Sequence, residues 1–220
     1  MQERTQKLLK EIIELYIKTA KPVGSKCLAD SKNFKISPAT IRNEMMELEK
    51  AGFVVQPHTS AGRVPTALGY RYYLDNLLDV KSVDKKEHTE LASTYDEDLR
   101  DLAKLLVDKT DLAIIVGQAP NDLYFTGLFN LFSQPEFEDL QLVLSMSQVV
   151  DSLEKAMADI YHKIKEPTIL LGEENPFSEY CSVAITFLPS GQLLAIVGPL
   201  RMDYNRALGL LEEITETYDR

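Results

Sequence analysis

The chain has 220 residues, of which 45% are hydrophobic and 26% charged, values typical of a globular protein with one large domain or two small ones. Its apolar runs are too short to cross a bilayer, and MQERTQKLLK lacks the apolar centre of a signal peptide. Two distant cysteines predict no disulfide framework. The composition therefore favours a cytoplasmic protein with reduced thiols and argues against a membrane protein.

The net charge of −10 is distributed unevenly along the chain. Residues 1–80 hold 12 Lys and Arg against 9 Asp and Glu, whereas residues 81–220 hold 12 against 25. This asymmetry indicates a mildly basic module joined to an acidic one. The surplus of positive charge is small, so its placement matters more than its size.

The first fifty residues predict three helices. Apolar residues recur at helical spacing over residues 3–19, and Gly24-Ser25 begins a short second helix with Ser25 as its N-cap. Ser37-Pro38 has the sequence of a helix start, with a capping hydroxyl and a proline in the first turn. The third helix then runs to about Lys50 and ends at Ala51-Gly52.

A β-hairpin is predicted after the third helix. Residues 54–57 and 63–65 form its strands, residues 58–62 (HTSAG) join them, and Thr66 caps a fourth helix. Two short helices that lead through a turn into a polar-faced third helix form a helix-turn-helix. The following β-ribbon is interpreted as a wing.

The remainder of the chain predicts a linker helix and a mixed domain. Residues 81–109 form the linker helix, whose narrow apolar stripe fits either a partner chain or the next domain. We expect an α+β protein with a winged helix-turn-helix domain at 1–80, the linker helix, and an α/β domain at 110–220. In this last domain strands are predicted at 112–116, 123–126, 168–171, 181–188 and 193–197, and helices at 143–163 and 203–218.

The reactive side chains of the sequence do not have the spacing of a catalytic or metal-binding site. His58, His88 and His162 have no second ligand at metal-binding spacing, and Cys181 begins an apolar strand typical of a buried structural thiol. The adjacent pair Glu173-Glu174 favours a solvated turn, because neighbouring side chains of an extended chain point apart. No glycine-rich loop carries the lysine of a phosphate-binding loop. The sequence therefore predicts no enzyme, no metal and no cofactor.

The outward face of the third helix suits DNA. It carries Ala39, Asn43, Met46 and Lys50, flanked by Thr40, Arg42 and Glu47. Asn43 has the groups to read adenine, Arg42 those to reach guanine or phosphate, and Ser37 and Thr40 those to bind phosphate. A merely solvated helix face is the alternative, but its place between two short helices and a β-ribbon favours recognition.

Several motifs resemble the family of the heat-inducible transcription repressor HrcA. In the N-terminal part these are residues 22–26 (PVGSK), 37–45 (SPATIRNEM) and 58–66 (HTSAGRVPT). In the C-terminal part, residues 123–137 (LYFTGLFNLFSQPEF), 172–176 (GEENP) and 197–207 (VGPLRMDYNRA) are similar to segments of that family's GAF-like domain.

This resemblance implies a dimeric repressor of bacterial chaperone genes that binds an inverted-repeat operator in double-stranded DNA. It also implies that a chaperonin modulates the repressor. From this resemblance and from the outward face of the third helix, we predict the following DNA-binding residues: Ser25, Lys26, Ser37, Ala39, Thr40, Arg42, Asn43, Lys50, His58, Thr59, Ser60 and Arg63.

The chain departs from the resemblance in one respect. Members of the family usually carry an additional dimerisation domain inserted in the GAF-like part, whereas here only residues 117–122 separate two predicted strands. We therefore expect a homodimer formed through residues 81–109 or through the α/β domain. The alternative function is a transcriptional regulator whose GAF-type domain binds a small effector molecule.

Overall fold

A computed structural model describes residues 1–31, 34, 36–119, 122–138, 164–175 and 178–218. The chain divides into two compact units, Met1–Asp79 and Val80–Arg220. The first unit consists of helices and a two-stranded hairpin, and the second contains a five-stranded sheet. The α+β class expected from the sequence is confirmed.

The first unit is built on four helices, α1 (Glu3–Thr19), α2 (Ser25–Asp30), α3 (Pro38–Lys50) and α4 (Ala67–Asn76). Each turns an apolar stripe inward. The buried residues are Leu8, Leu9, Ile12 and Ile13 of α1, Leu28 of α2, Ile41, Met45 and Leu48 of α3, and Tyr70 and Tyr73 of α4. This shared core fixes α2 and α3 as a helix-turn-helix pair.

The ends of α2 and α3 are set by local hydrogen bonds. The Ser37 hydroxyl accepts the Thr40 amide N–H at 3.2 Å, so Ser37 is the N-cap of α3 as predicted. The predicted cap of α2 was wrong, because Gly24 occupies the cap position and Ser25 is the first helical residue. The helix thus begins one residue earlier than predicted, directly after Val23 and Gly24, and Val23 is bridged to Arg63 by two hydrogen bonds of 2.9 Å each.

The hairpin after α3 consists of two short antiparallel strands, β1 (Val54–Val55) and β2 (Val64–Pro65). Both are shorter than the predicted strands at 54–57 and 63–65. Pro57 has no N–H for a ladder bond, and Arg63 pairs with Val23 instead of with the first strand. Thr66 then caps α4 by accepting the Gly69 N–H at 3.1 Å, as predicted.

The single linker helix predicted over residues 81–109 is two helices in the structure, α5 (Lys85–Glu97) and α6 (Leu99–Thr110). Asp98 separates them in an extended conformation (φ −159°, ψ 132°), and its carboxylate caps α6 by accepting the Arg100 N–H at 2.8 Å. The helices fold back on each other, since Lys109 near the end of α6 lies 2.5 Å from Glu90 of α5. Both helices belong to the second unit.

The second unit contains an antiparallel sheet in the order β4-β3-β7-β6-β5. Its elements are β3 (Ala113–Ala119), β4 (Asp122–Thr126), α7 (Leu128–Phe132), β5 (Thr168–Leu171), β6 (Cys181–Phe187), β7 (Leu193–Pro199) and α8 (Tyr204–Tyr218). Each predicted strand of this unit has a counterpart: β3 ends three residues later and β7 two residues later than predicted, and the other bounds agree within one residue. The helix predicted over residues 143–163 lies outside the described residues.

The sheet is filled with apolar side chains. One buried cluster joins alternate residues of the central strands to α7, and it contains Ala113, Ile115, Leu131, Phe137, Cys181, Val183, Ile185, Leu193, Ala195 and Val197. The helices α6 and α8 pack on β3 and β6. The buried hydroxyl groups of the sheet bond within the protein: Ser182 donates to the Pro199 carbonyl at 2.9 Å, and Thr186 lies 3.4 Å from the Thr215 hydroxyl.

Candidate nucleic-acid interface

The third helix presents one face with several polar residues to solvent. Ala39, Arg42, Asn43 and Lys50 are exposed, and Met46 among them is 42% exposed. The opposite face of α3 is buried in the core, so the helix cannot rotate to exchange the two faces. The geometry thus leaves an outward surface of short and hydrogen-bonding side chains, which a DNA major groove can accommodate.

The first turn of α3 carries two hydroxyl groups. The hydroxyls of Ser37 and Thr40 lie 3.0 Å apart, and the Ser37 oxygen also accepts the Thr40 amide N–H. Ser37 is exposed and Thr40 half-buried. These groups surround the N-terminal end of a helix, where free N–H donors and the helix dipole favour an anion such as phosphate.

A cavity of about 540 Å³ lies between α2, α3 and the hairpin. It brings together several of the predicted residues: Ser25, Lys26, Arg42, Ser60 and Arg63. Its other lining residues, which the sequence did not single out as DNA-binding, are Gly24, Met45, Met46, Gln56, Ala61 and Gly62. Lys26 and Arg42 are both exposed, so the edge of the cavity carries positive charge.

The tip of the hairpin is exposed at His58, Thr59 and Ser60. The Ala61 N–H donates to the His58 carbonyl at 3.0 Å and closes a tight turn, within which Ser60 has a positive φ of 68°. His58 and Thr59 do not line the cavity. They form a separate part of the candidate surface, together with the outward residues of α3.

The sequence suggested that Arg63 contacts phosphate, and in the structure its side chain pairs with a carboxylate of the protein. Its guanidinium Nη2 lies 2.8 Å from the Glu49 carboxylate, and its side chain is 13% exposed. The charge of Arg63 is therefore engaged within the protein. The partner residue Glu49 was missed from the sequence, because fourteen residues separate the pair and no local pattern links them.

Gly62 was also missed as a site residue, although the sequence contains a signal for it. A Cβ atom at Gly62 would lie 2.4 Å from the carbonyl carbon and oxygen of Val23, so only glycine fits where the hairpin crosses the chain before α2. A glycine that directly precedes a strand indicates such a close approach of two backbones.

Among the described residues of the second unit, the Cys181 thiol is buried at the start of β6. Burial raises the pKa of the Cys181 thiol to about 12, with a smaller contribution from Glu136, so the thiol is protonated at neutral pH. Glu174 lies in a short 3-10 turn after β5, and His162 lies outside the described residues.

In the described part of the chain, no group of three or more His, Cys, Asp or Glu side chains is placed to hold a metal ion. In the same part, no helix is long and apolar enough to cross a membrane.

Sequence profiles and relatives match both units. The profile described as "Winged helix-turn-helix transcription repressor, HrcA DNA-binding" matches residues 1–77, and "HrcA protein C terminal domain" matches residues 71–208. The heat-inducible transcription repressor HrcA of Symbiobacterium thermophilum is 44% identical over 122 residues, covering 52% of this chain and 36% of that protein. The HrcA protein of Desulfitobacterium hafniense is 26% identical over 332 residues, covering 99% of this chain and 96% of the relative.

The second alignment is longer than the 220 residues of this chain, so the relative contains residues that have no counterpart here. A solved structure titled "Crystal structure of a hypothetical protein at 2.2 A resolution" has the same fold, with a TM-score of 0.72 and 18% identity. The match covers 99% of this chain and 98% of that one. With profile matches to the DNA-binding and C-terminal parts, the chain belongs to the HrcA family.

Proposed function

We propose that this protein represses heat-shock chaperone genes by binding an inverted-repeat operator. The observation that carries the proposal is a helix-turn-helix with an exposed, polar outer face on α3, followed by a wing, in the segment that matches the DNA-binding profile. Two recognition helices on a palindromic site would occlude the promoter. The family is one of transcription repressors, and we infer no catalytic role and a cytoplasmic location with the chromosome.

The proposed contacts divide into two classes. Asn43 and Arg42 read bases in the major groove, since an amide pairs with adenine and a guanidinium with guanine. The remaining candidates hold phosphates or position the backbone: Ser25, Lys26, Ser37, Ala39, Thr40, Lys50, His58, Thr59 and Ser60. Lys26 of α2 and Lys50 at the end of α3 provide exposed positive charge.

An inverted repeat calls for a two-fold symmetric protein, and we propose a homodimer formed through the second unit. The exposed large hydrophobic residues of that unit support this choice: Phe125, Phe129 and Tyr180, with Phe129 83% exposed. Within this scheme residues 1–80 bind DNA, 81–109 connect and 110–220 form a GAF-like domain, and a chaperonin modulates the protein. Sedimentation showing a monomer at micromolar concentration, with and without DNA, would contradict the dimer.

A small-molecule effector is less well supported than a purely protein-regulated repressor. An effector site needs polar groups that converge in a cavity. In the described part of the sheet, the buried hydroxyls of Ser182 and Thr186 bond within the protein, and the opposite face of the sheet carries the buried apolar cluster.

The proposed function is tested by selecting duplexes from a random DNA pool with the full chain. We expect enrichment of an inverted repeat, and binding of the enriched duplex that is at least a thousandfold tighter than binding of a scrambled one, within the range of about 10³–10⁷ for specific binders. Measurements at two salt concentrations give the number of phosphate contacts. A pool without an enriched motif, or equal affinity for the scrambled duplex, would refute the proposal.

A further inference from the structure

Glu49 lies near the end of α3 and contacts both arms of the wing. Its Oε2 accepts a hydrogen bond from Arg63 Nη2 at 2.8 Å, just before β2. Its Oε1 accepts the Gln56 amide N–H at 3.2 Å, just after β1. The Gln56 side chain continues the network by donating from Nε2 to the Ala61 carbonyl at 3.0 Å. A single carboxylate thus links the recognition helix to the whole hairpin.

Besides Glu49, the described contacts that hold the wing include its own short ladder and the two hydrogen bonds between Val23 and Arg63. Each strand contains two residues, so the ladder consists of the pairs Val54–Pro65 and Val55–Val64. The cavity of about 540 Å³ separates much of the hairpin from α3 and has Gln56 and Arg63 in its wall. The orientation of the wing relative to α3 therefore depends strongly on side-chain bonds that cross from one to the other.

The burial of the pair agrees with an internal role. The Arg63 side chain is 13% exposed and that of Glu49 33% exposed, so the ion pair lies mostly out of water. A buried guanidinium that lost its carboxylate would be left without its main partner, at a greater cost than loss of a surface pair. An incoming phosphate would meet a guanidinium whose charge is already paired with the Glu49 carboxylate through Nη2.

We infer that Glu49 is a positioning residue that sets the wing in register with α3 for DNA binding, and that Arg63 acts through Glu49 and not as a phosphate ligand. This inference rests on the proposed function. It assigns a role in DNA affinity to a negative charge, which is the opposite of what simple electrostatics predicts. Removing a negative charge close to the phosphate backbone should by itself strengthen binding.

The sign of the effect provides the test. We expect Glu49→Gln to weaken binding of the enriched inverted-repeat duplex about tenfold, because residues in one hydrogen-bond network are energetically coupled. Glu47→Gln is the matched control, since Glu47 is an exposed carboxylate on the same helix and makes the same charge change. Its affinity should equal or exceed that of the parent.

Two variants of Arg63 separate positioning from direct contact. Arg63→Gln should weaken binding to a similar extent with an unchanged salt slope, and the double variant Glu49→Gln/Arg63→Gln should be no weaker than either single one. If Arg63 instead contacted a phosphate directly, its removal would lower the salt slope by about one. The losses of affinity in the two single variants would then add in the double variant. That result, or Glu49→Gln binding as tightly as Glu47→Gln, overturns the inference.

Hydrogen exchange tests the role of Glu49 without DNA, so its outcome does not depend on the proposed function. In Glu49→Ala, the Gln56 amide should exchange about fivefold faster, the factor expected for the loss of one hydrogen bond of ordinary net strength. In Glu47→Ala it should not change, and the amides of α1 should stay protected in both variants. If no duplex is bound specifically, the proposed function fails. Unchanged Gln56 exchange in Glu49→Ala refutes the wing-positioning role in either case.

Discussion

Replacement of Gly62 by alanine should release the wing from the chain before α2. The added Cβ would lie 2.4 Å from the carbonyl carbon and oxygen of Val23 and 2.8 Å from the carbonyl carbon of Pro22. These are backbone atoms, which cannot turn aside as the end of a side chain can. We expect the chain to open the bridge between Val23 and Arg63, which consists of two N–H···O bonds of 2.9 Å each.

The magnitude follows from the two bonds. At about 1 kcal/mol of net stabilisation for each, the local opening free energy should fall by about 2 kcal/mol. This corresponds to roughly 30-fold faster exchange of the Val23 and Arg63 amides, since about 1.4 kcal/mol is a factor of ten. Native-state hydrogen exchange of the full chain measures this quantity without assuming that both units unfold together.

Gly24→Ala is the matched control because Gly24 lines the same cavity. A Cβ at Gly24 meets nothing within 4 Å, and the residue has an ordinary extended conformation with φ −94° and ψ 151°. Alanine there should leave the bridge intact or stabilise the chain slightly through the unfolded state. Equal exchange at Val23 and Arg63 in the two variants would show that the methyl group is accommodated without opening the bridge.

Three further predictions concern single side chains. Asn43→Ala should reduce discrimination between the enriched and scrambled duplexes by about 1–3 kcal/mol in gel-shift titrations, and unchanged discrimination would contradict base reading by Asn43. A hydrogen bond from Arg206, opposed by burial, lowers the pKa of Glu87 below its usual value of about 4.5. The stability that Arg206 provides over Arg206→Gln should therefore be complete at pH 7 and disappear as the pH falls through that lowered pKa, as judged by urea midpoints. At pH 8 a thiol reagent should modify exposed Cys27 quickly and buried Cys181 only on unfolding, and rapid reaction of both would contradict the raised pKa of Cys181.

Local sequence signals predicted the first unit well. The cap at Ser37 and the one at Thr66 are specified within three residues, because a hydroxyl and a nearby amide meet whenever a helix starts there. The apolar stripes of α1 and α3 also follow from spacing alone. Where the prediction failed, at Ser25, the helix begins one residue earlier than expected, with Gly24 as its cap directly after the bridge from Val23 to Arg63.

The helix break at Asp98 shows a different limit of sequence reasoning. Leu91, Leu102 and Leu106 are all buried, and their spacing fits one continuous helix as well as two that fold back. The distinction depends on Asp98, which ends α5 through its N–H bond to the Thr94 carbonyl and caps α6 with its side chain. Aspartate is common in both exposed helix positions and caps, so its identity alone does not predict a break.

The exposed residues of the candidate site could be predicted from the sequence, but the contacts that its side chains make within the protein could not. Exposure of Arg42, Asn43 and Lys50 follows from the helical period once the buried face is known. The pairing of Arg63 with Glu49 depends instead on where the hairpin folds back over α3, which no local spacing encodes. A basic residue in a wing was therefore assigned to phosphate when its charge is directed inward.

The unequal charge of the chain has a consequence for specificity under the proposed function. Residues 81–220 hold 12 Lys and Arg against 25 Asp and Glu, so their net charge repels DNA. At physiological salt this repulsion is screened beyond about 8 Å. Binding without base recognition relies on net positive charge, which residues 1–80 supply with just 12 Lys and Arg against 9 Asp and Glu. The protein should therefore bind non-specific DNA weakly and owe most of its operator affinity to base contacts such as that of Asn43.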